Sequence, residues 1–216
     1  FIKIDLLPRP LNKERGATPK KPFRCLTHGS PIPEWSVILC QGWVKGDSVR
    51  KMISKENNFA YIDGANLYKG VTSLAWNLDY KKFRVWLSEK YGIKAAYIFI
   101  GLIPKYKDLY KYLQECGFTL VFKEVIYDGN GKPKGNCDAD LVLQAVRDTY
   151  EGKFDKALLV ASDGDYVGLV KFLQEKLCFL AVLSPADKDK CSILLKRTGA
   201  RIAYINDQRA NLGLTP

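Results

Sequence analysis

FAYIDGAN, residues 59–66, decides the reading of this chain: four strand-forming residues run directly into an aspartate, a glycine, an alanine and an asparagine. So short an apolar run suits a strand buried on both faces of a parallel sheet, and the turn-forming residues behind it mark its carboxyl end. In open parallel sheets ligands bind beyond the carboxyl ends of the strands, which makes Asp63 a candidate functional group. ALLVASDGD, residues 157–165, repeats the arrangement, with Asp163 and Asp165 following Ser162.

Outward from these two runs, short apolar segments alternate with amphipathic stretches of helical length, the pattern of parallel α/β architecture. The spacing predicts strands at 59–62, 95–100, 119–122, 157–161, 179–183 and 202–205, and helices at 80–90, 107–116, 137–150, 166–176 and 188–196. Gly117, Gly152 and Gly199 punctuate helix ends. The stretch after the first strand, carrying Tyr68 and Trp76, is expected to be a loop. No internal repeat or low-complexity tract interrupts the order.

Six of the ten prolines fall before residue 34, and no helical or strand period persists there, so residues 1–51 are expected to form an irregular extension and residues 52–216 the folded domain. The chain opens on Phe1 and its single methionine is Met52, which suggests a natural start at Met52; a basic nucleic-acid-binding tail is the alternative.

The 216 residues carry 34 Lys and Arg against 23 Asp and Glu, a net charge of +11 that favours polyanionic partners. No apolar run approaches the roughly 18 residues of a membrane span, so no membrane partner is expected. Cys25, Cys40, Cys116, Cys137, Cys178 and Cys191 include no CxxC pair, and His28 is the single histidine. Structural zinc is therefore disfavoured, and a reduced, cytoplasmic chain without a secretory signal is expected.

A third acidic element, KGNCDADLVLQAV, residues 134–146, reads as a loop feeding a helix. On that helix Asp138 shares a face with Leu141, Val142 and Ala145, whereas Asp140 sits about 200° away, toward Gln144 and Arg147. An inward carboxylate is costly without a cation or donors, which favours Asp138 for a functional role and leaves Asp140 as the alternative. Carboxylates gathered together repel unless a divalent ion neutralises them, and an all-oxygen donor set suits Mg²⁺ or Mn²⁺. Such an ion activates water against a phosphodiester.

YIDGAN, KGNCDAD and VASDGDY, in this order and on these elements, resemble the three motifs of NYN domains, the PIN-like ribonuclease family that includes the LabA-type bacterial proteins. The likeness extends over roughly residues 57–206. It implies a Rossmann-like, PIN-type three-layer sandwich with a mostly parallel sheet, a Mg²⁺ or Mn²⁺ cofactor, and hydrolysis of RNA, single-stranded RNA being the expected form. The resemblance assigns Asp63, Asp138, Asp163 and Asp165 as metal ligands, with Asp140 as substitute, and Asn66 as the asparagine near the metal. Ser162 matches the small hydroxyl residue ahead of the closing pair. KGNCD is longer than the interval in many relatives, which keeps the choice between Asp138 and Asp140 open.

Bland readings stand beside these. Asp63 can be a turn residue, Asp165 a helix cap and Asn136 another. Lys69, Arg84, Lys105, Lys107 and Lys134 can line a phosphate-binding rim, Lys69 and Lys134 foremost, or be solvated surface. Tyr68 and Trp76 can stack on bases or pack beneath their loop. A non-catalytic RNA- or protein-binding module is the competing function. An aspartyl-phosphate enzyme is disfavoured because Ala65 stands two residues after Asp63, and a dinucleotide enzyme because GxGxxG is missing there. A homodimer is left open.

Overall fold

The computed structural model describes residues 56–127, 133–134 and 137–214. The expected extension with its boundary at residue 51, Met52, His28, Cys25, Cys40 and Asn136 lie outside the described residues, as does the side chain of Lys134.

All six expected strands form, each within two residues of the expected ends. They are β1 (Asn58–Asp63), β2 (Ile93–Leu102), β3 (Thr119–Glu124), then, after the two-residue hairpin strands β4 (Ile126–Tyr127) and β5 (Pro133–Lys134), β6 (Ala157–Val160), β7 (Phe179–Ser184) and β8 (Ile202–Tyr204). The main sheet is ordered β3-β2-β1-β6-β7-β8. All its pairings are parallel.

Strand alternation sorts the core onto two faces. Ala60 and Ile62 of β1 join Leu158 and Val160 of β6 beneath α1 (Gly64–Ser73), α2 (Tyr80–Tyr91) and α3 (Lys107–Glu115). Tyr61 and Leu159 face the other way, under α4 (Asp138–Tyr150), α5 (Val167–Glu175) and α6 (Ile193–Lys196). Chain winding reverses between the adjacent strands β1 and β6: crossovers on one side serve β1 to β3, and crossovers on the other serve β6 to β8. The result is a three-layer α/β sandwich whose topological switch point lies between β1 and β6, where open sheets leave a crevice at the carboxyl ends.

Two local expectations are corrected. Residues 64–73 are helix α1, not loop: Asp63 is its N-cap, its Oδ1 accepting the Asn66 N–H at 2.9 Å, and Leu67 and Val71, four apart, are buried on its inner face. A Cβ on Gly70 would lie 2.7 Å from backbone atoms of Pro185, so glycine is what lets α1 settle against the end of β7. Trp76, just beyond, is buried in the core and unavailable for base stacking. The helix expected at 188–196 shrinks to α6, because Ser192 is extended and gives its backbone N–H to Ser162 O at 3.0 Å while its hydroxyl caps Leu194.

Arg84 is corrected as well. Its guanidinium donates to the carbonyls of Gly117, Ile93 and Lys94 at 2.9, 3.3 and 2.8 Å, at the amino end of β2 and away from the carboxyl rim. Among the described residues, no helix is long and apolar enough to cross a membrane.

Candidate functional site

Three segments meet at the switch point. β1 delivers Asp63, the chain leaving β6 delivers Ser162 and Asp163, and the first turn of α4 delivers Asp138.

Asp63 is 8% exposed and held at both oxygens: Oδ1 accepts the Asn66 N–H, and Oδ2 accepts the Tyr166 hydroxyl at 3.1 Å. The same hydroxyl reaches Asp138 Oδ1 at 2.6 Å, so the two carboxylate oxygens lie no more than the sum of those distances, 5.7 Å, apart. Asp138 thus faces inward, as its place on the apolar stripe predicts. Asp140 takes the other side of the helix, forming an ion pair with Lys123 of β3 at 2.9 Å.

Asn66 turns out to be a joint between segments. Its Oδ1 accepts both the backbone N–H and the hydroxyl of Ser162, at 3.0 and 2.7 Å, binding the first turn of α1 to the end of β6. Asp163 caps the 3-10 turn Gly164–Tyr166 by accepting the Asp165 N–H at 3.2 Å, so the cap in this motif is Asp163 and not Asp165. Both acids are exposed at the rim. Lys69 is exposed on α1, and Lys105 lies over the neighbouring Tyr106 ring, 5.4 Å from its centroid.

Burial pushes the Asp63 carboxyl above its ordinary 3.8, and the negative charge of Asp138 adds to the push; the Asn66 N–H and the Tyr166 hydroxyl oppose it. Tyr166 is raised far above its usual range by burial and then by the two carboxylates. Cys137, immediately before α4, is pushed up to about 11, by burial first and by the nearby acids second.

The donor set can be tested against a hard divalent ion. A hydroxyl carries one proton, so it cannot satisfy two ionised carboxylates at once; the pair needs either a shared extra proton or a cation. Among the described residues no Lys or Arg forms an ion pair with Asp63. Two convergent carboxylates, the buried one without an ion pair to Lys or Arg among the described residues, fit Mg²⁺ or Mn²⁺, which bind through one or two carboxylates while keeping several waters. Among the described residues no three acidic, His or Cys groups gather closely enough to enclose an ion by themselves.

Sequence reasoning missed Tyr166 as a member of the site. Its signal was present, since it ends VASDGDY at the start of the expected helix, but an aromatic there reads as core.

Comparison with known proteins bears on the fold and the family. No curated protein matches the chain. The crystal structure of a protein of unknown function from Vibrio parahaemolyticus is similar with a TM-score of 0.60 and 22% identity, over 76% of this chain and 100% of that one; at this identity the likeness is one of fold. A model of the NYN domain matches residues 59–199, from β1 to the turn after α6, and spans all three acidic motifs. NYN domains are part of the PIN-like nuclease superfamily, and this chain belongs to the NYN domain family.

Proposed function

We propose that the protein is a metal-dependent ribonuclease that hydrolyses phosphodiester bonds of single-stranded RNA at the β1/β6 switch point. The observation that carries this reading is the convergence of Asp63 and Asp138 on one hydroxyl, with Asp63 buried and no Lys or Arg paired to it among the described residues. Asp63 and Asp138 would hold Mg²⁺ or Mn²⁺, with Asp163 and Asp165 completing the acidic rim. Bound there, the ion supplies an activated water and positive charge against the phosphate. Asn66 and Ser162 keep the two strand ends in register, so that Asp63 and Asp138 would face the ion together. Lys69 and Lys134 are assigned to the RNA backbone, where cations position a phosphate chain, whereas the Ser162 hydroxyl, expected there too, is buried and given to Asn66 Oδ1. The free thiols of Cys116, Cys137, Cys178 and Cys191 suit a reducing, cytoplasmic setting.

A second reading, a non-catalytic RNA- or protein-binding module, draws on one observation: no group of three potential ligands closes around an ion among the described residues. One experiment separates the two. Labelled single-stranded RNA is incubated with the full chain and with Asp63→Asn, each with Mg²⁺, Mn²⁺ or EDTA. Cleavage by the wild type that needs the metal and disappears in the variant supports the nuclease. Intact RNA with either metal and properly folded protein favours the binding module.

A further inference from the structure

Tyr166 stands between the two carboxylates. Tyr166 is 1% exposed and belongs to the same buried cluster as Tyr61, Leu141 and Leu169, so its ring sits in the core on the α4 side of the sheet. That hydroxyl lies 3.1 Å from Asp63 Oδ2 and 2.6 Å from Asp138 Oδ1. A phenylalanine would fill the same volume, and burying a hydroxyl costs free energy unless it is bonded. The hydroxyl has one proton to give, and having both carboxylates within reach of it offsets that cost.

The carboxylates need a fixed spacer. They come from a strand end and a helix start 75 positions apart in sequence, and ionised they repel. Asp63 is pinned at its other oxygen by the Asn66 N–H. Asp138 sits beside Asp140, which is drawn toward Lys123 on the far side of the same turn. The Tyr166 oxygen is the point common to both acids.

We propose that Tyr166 is the positioning residue of this centre: its hydroxyl holds Asp63 and Asp138 at the spacing from which both can turn onto one hard divalent cation. The inference rests on the ribonuclease reading above and extends it to a residue outside the acidic set. Groups that orient a metal's ligands from behind cost about 10–100-fold in metal affinity or activity when removed.

Tyr166→Phe tests it on the full chain. Mn²⁺ binding is followed by the electron paramagnetic resonance of the free ion, folding by thermal unfolding in EDTA, and turnover by steady-state cleavage of single-stranded RNA. The variant is expected to fold, to bind Mn²⁺ about tenfold more weakly or worse, and to lose kcat while KM for RNA stays within about twofold. A folded variant that binds Mn²⁺ as tightly as the wild type, or more tightly, overturns the proposal. So does a variant that cannot fold, because the hydroxyl would then serve the fold and not the ligands. Wild-type protein that binds no Mn²⁺ removes the ribonuclease reading and this inference together, whereas equal binding by both proteins removes only the inference.

Discussion

Ser162 gives both its backbone N–H and its hydroxyl to one acceptor, Asn66 Oδ1, at 3.0 and 2.7 Å. The Asn66 backbone meanwhile donates to Asp63 Oδ1. One residue therefore sets the orientation of the buried aspartate and ties β1's outgoing helix to β6's outgoing chain. The asparagine that the family resemblance places near the metal acts here through the backbone it organises.

Removing that acceptor should be costly. Asn66→Ala leaves the Ser162 N–H and hydroxyl without their partner, and an unsatisfied buried donor costs about 1–3 kcal/mol. Urea denaturation should show a loss of that size. Ser162→Ala deletes one of the two donors and should cost less, and the double variant should fall short of additivity because both changes remove the same bond. Fully additive losses would mean that the two residues are not coupled.

Asp63 carries a pH dependence whose sign follows from its raised pKa. The folded state favours the protonated acid more than the unfolded chain does, so this contribution to stability is complete below the ordinary value of 3.8. It fades as pH climbs through the raised folded value. In metal-free protein that contribution is smaller at neutral pH than in acid, and Asp63→Asn, which has no charge to desolvate, should raise the melting temperature there. The advantage should shrink as the buffer is taken toward pH 4. Differential scanning fluorimetry in EDTA across that range is the measurement, and a variant that is less stable than wild type at neutral pH contradicts the assignment.

The strands were legible because a doubly covered parallel sheet demands short apolar runs, and LLVA or AYIF cannot be much else. Helix α1 was hidden for a physical reason. GANLYKGVTS holds two glycines, an asparagine and two hydroxyl residues, all poor helix formers, and its helicity comes from the Asp63 cap and from packing of Leu67 and Val71. The loss of the helix before Ser192 is also tertiary, since its N–H is spent on Ser162 O, a partner 30 positions away. The inward aim of Asp138 was readable from helical phase alone. Its meeting with Asp63 through a tyrosine was not, because hydrogen bonds between elements leave no periodicity.

At the far end of α4 a second tyrosine–aspartate contact fixes the same helix. Asp148 is fully buried and accepts from the Tyr61 hydroxyl at 2.9 Å, Gln144 Nε2 at 2.9 Å and Lys153 Nζ at 3.1 Å. Tyr61 and Asp63 are two apart on β1 and point to the same face, so β1 meets α4 directly at Asp148 and through the Tyr166 hydroxyl at Asp138. Asp148→Ala orphans the Tyr61 hydroxyl in the core, which by itself should cost about 1–3 kcal/mol in guanidinium unfolding. An unchanged midpoint would show that the contact contributes nothing to the helix.

Asp138 and Asp140 lie in one helical turn, and their surroundings separate their roles. Asp138 meets the Tyr166 hydroxyl on the inner face, while Asp140 is engaged by Lys123, whose ammonium it holds above its usual pKa, chiefly by their hydrogen bond. Neutralising Asp140 removes an ion pair at the edge of the site and leaves Asp63 and Asp138 facing each other. Asp140→Asn should therefore keep Mn²⁺ affinity within about threefold of wild type, whereas Asp138→Asn should lower it by tenfold or more, about 1.4 kcal/mol. Isothermal titration with Mn²⁺ at one pH and salt concentration compares them directly. Greater loss in Asp140→Asn than in Asp138→Asn would move the centre to the outer side of α4, against the geometry that joins Asp138 to Asp63.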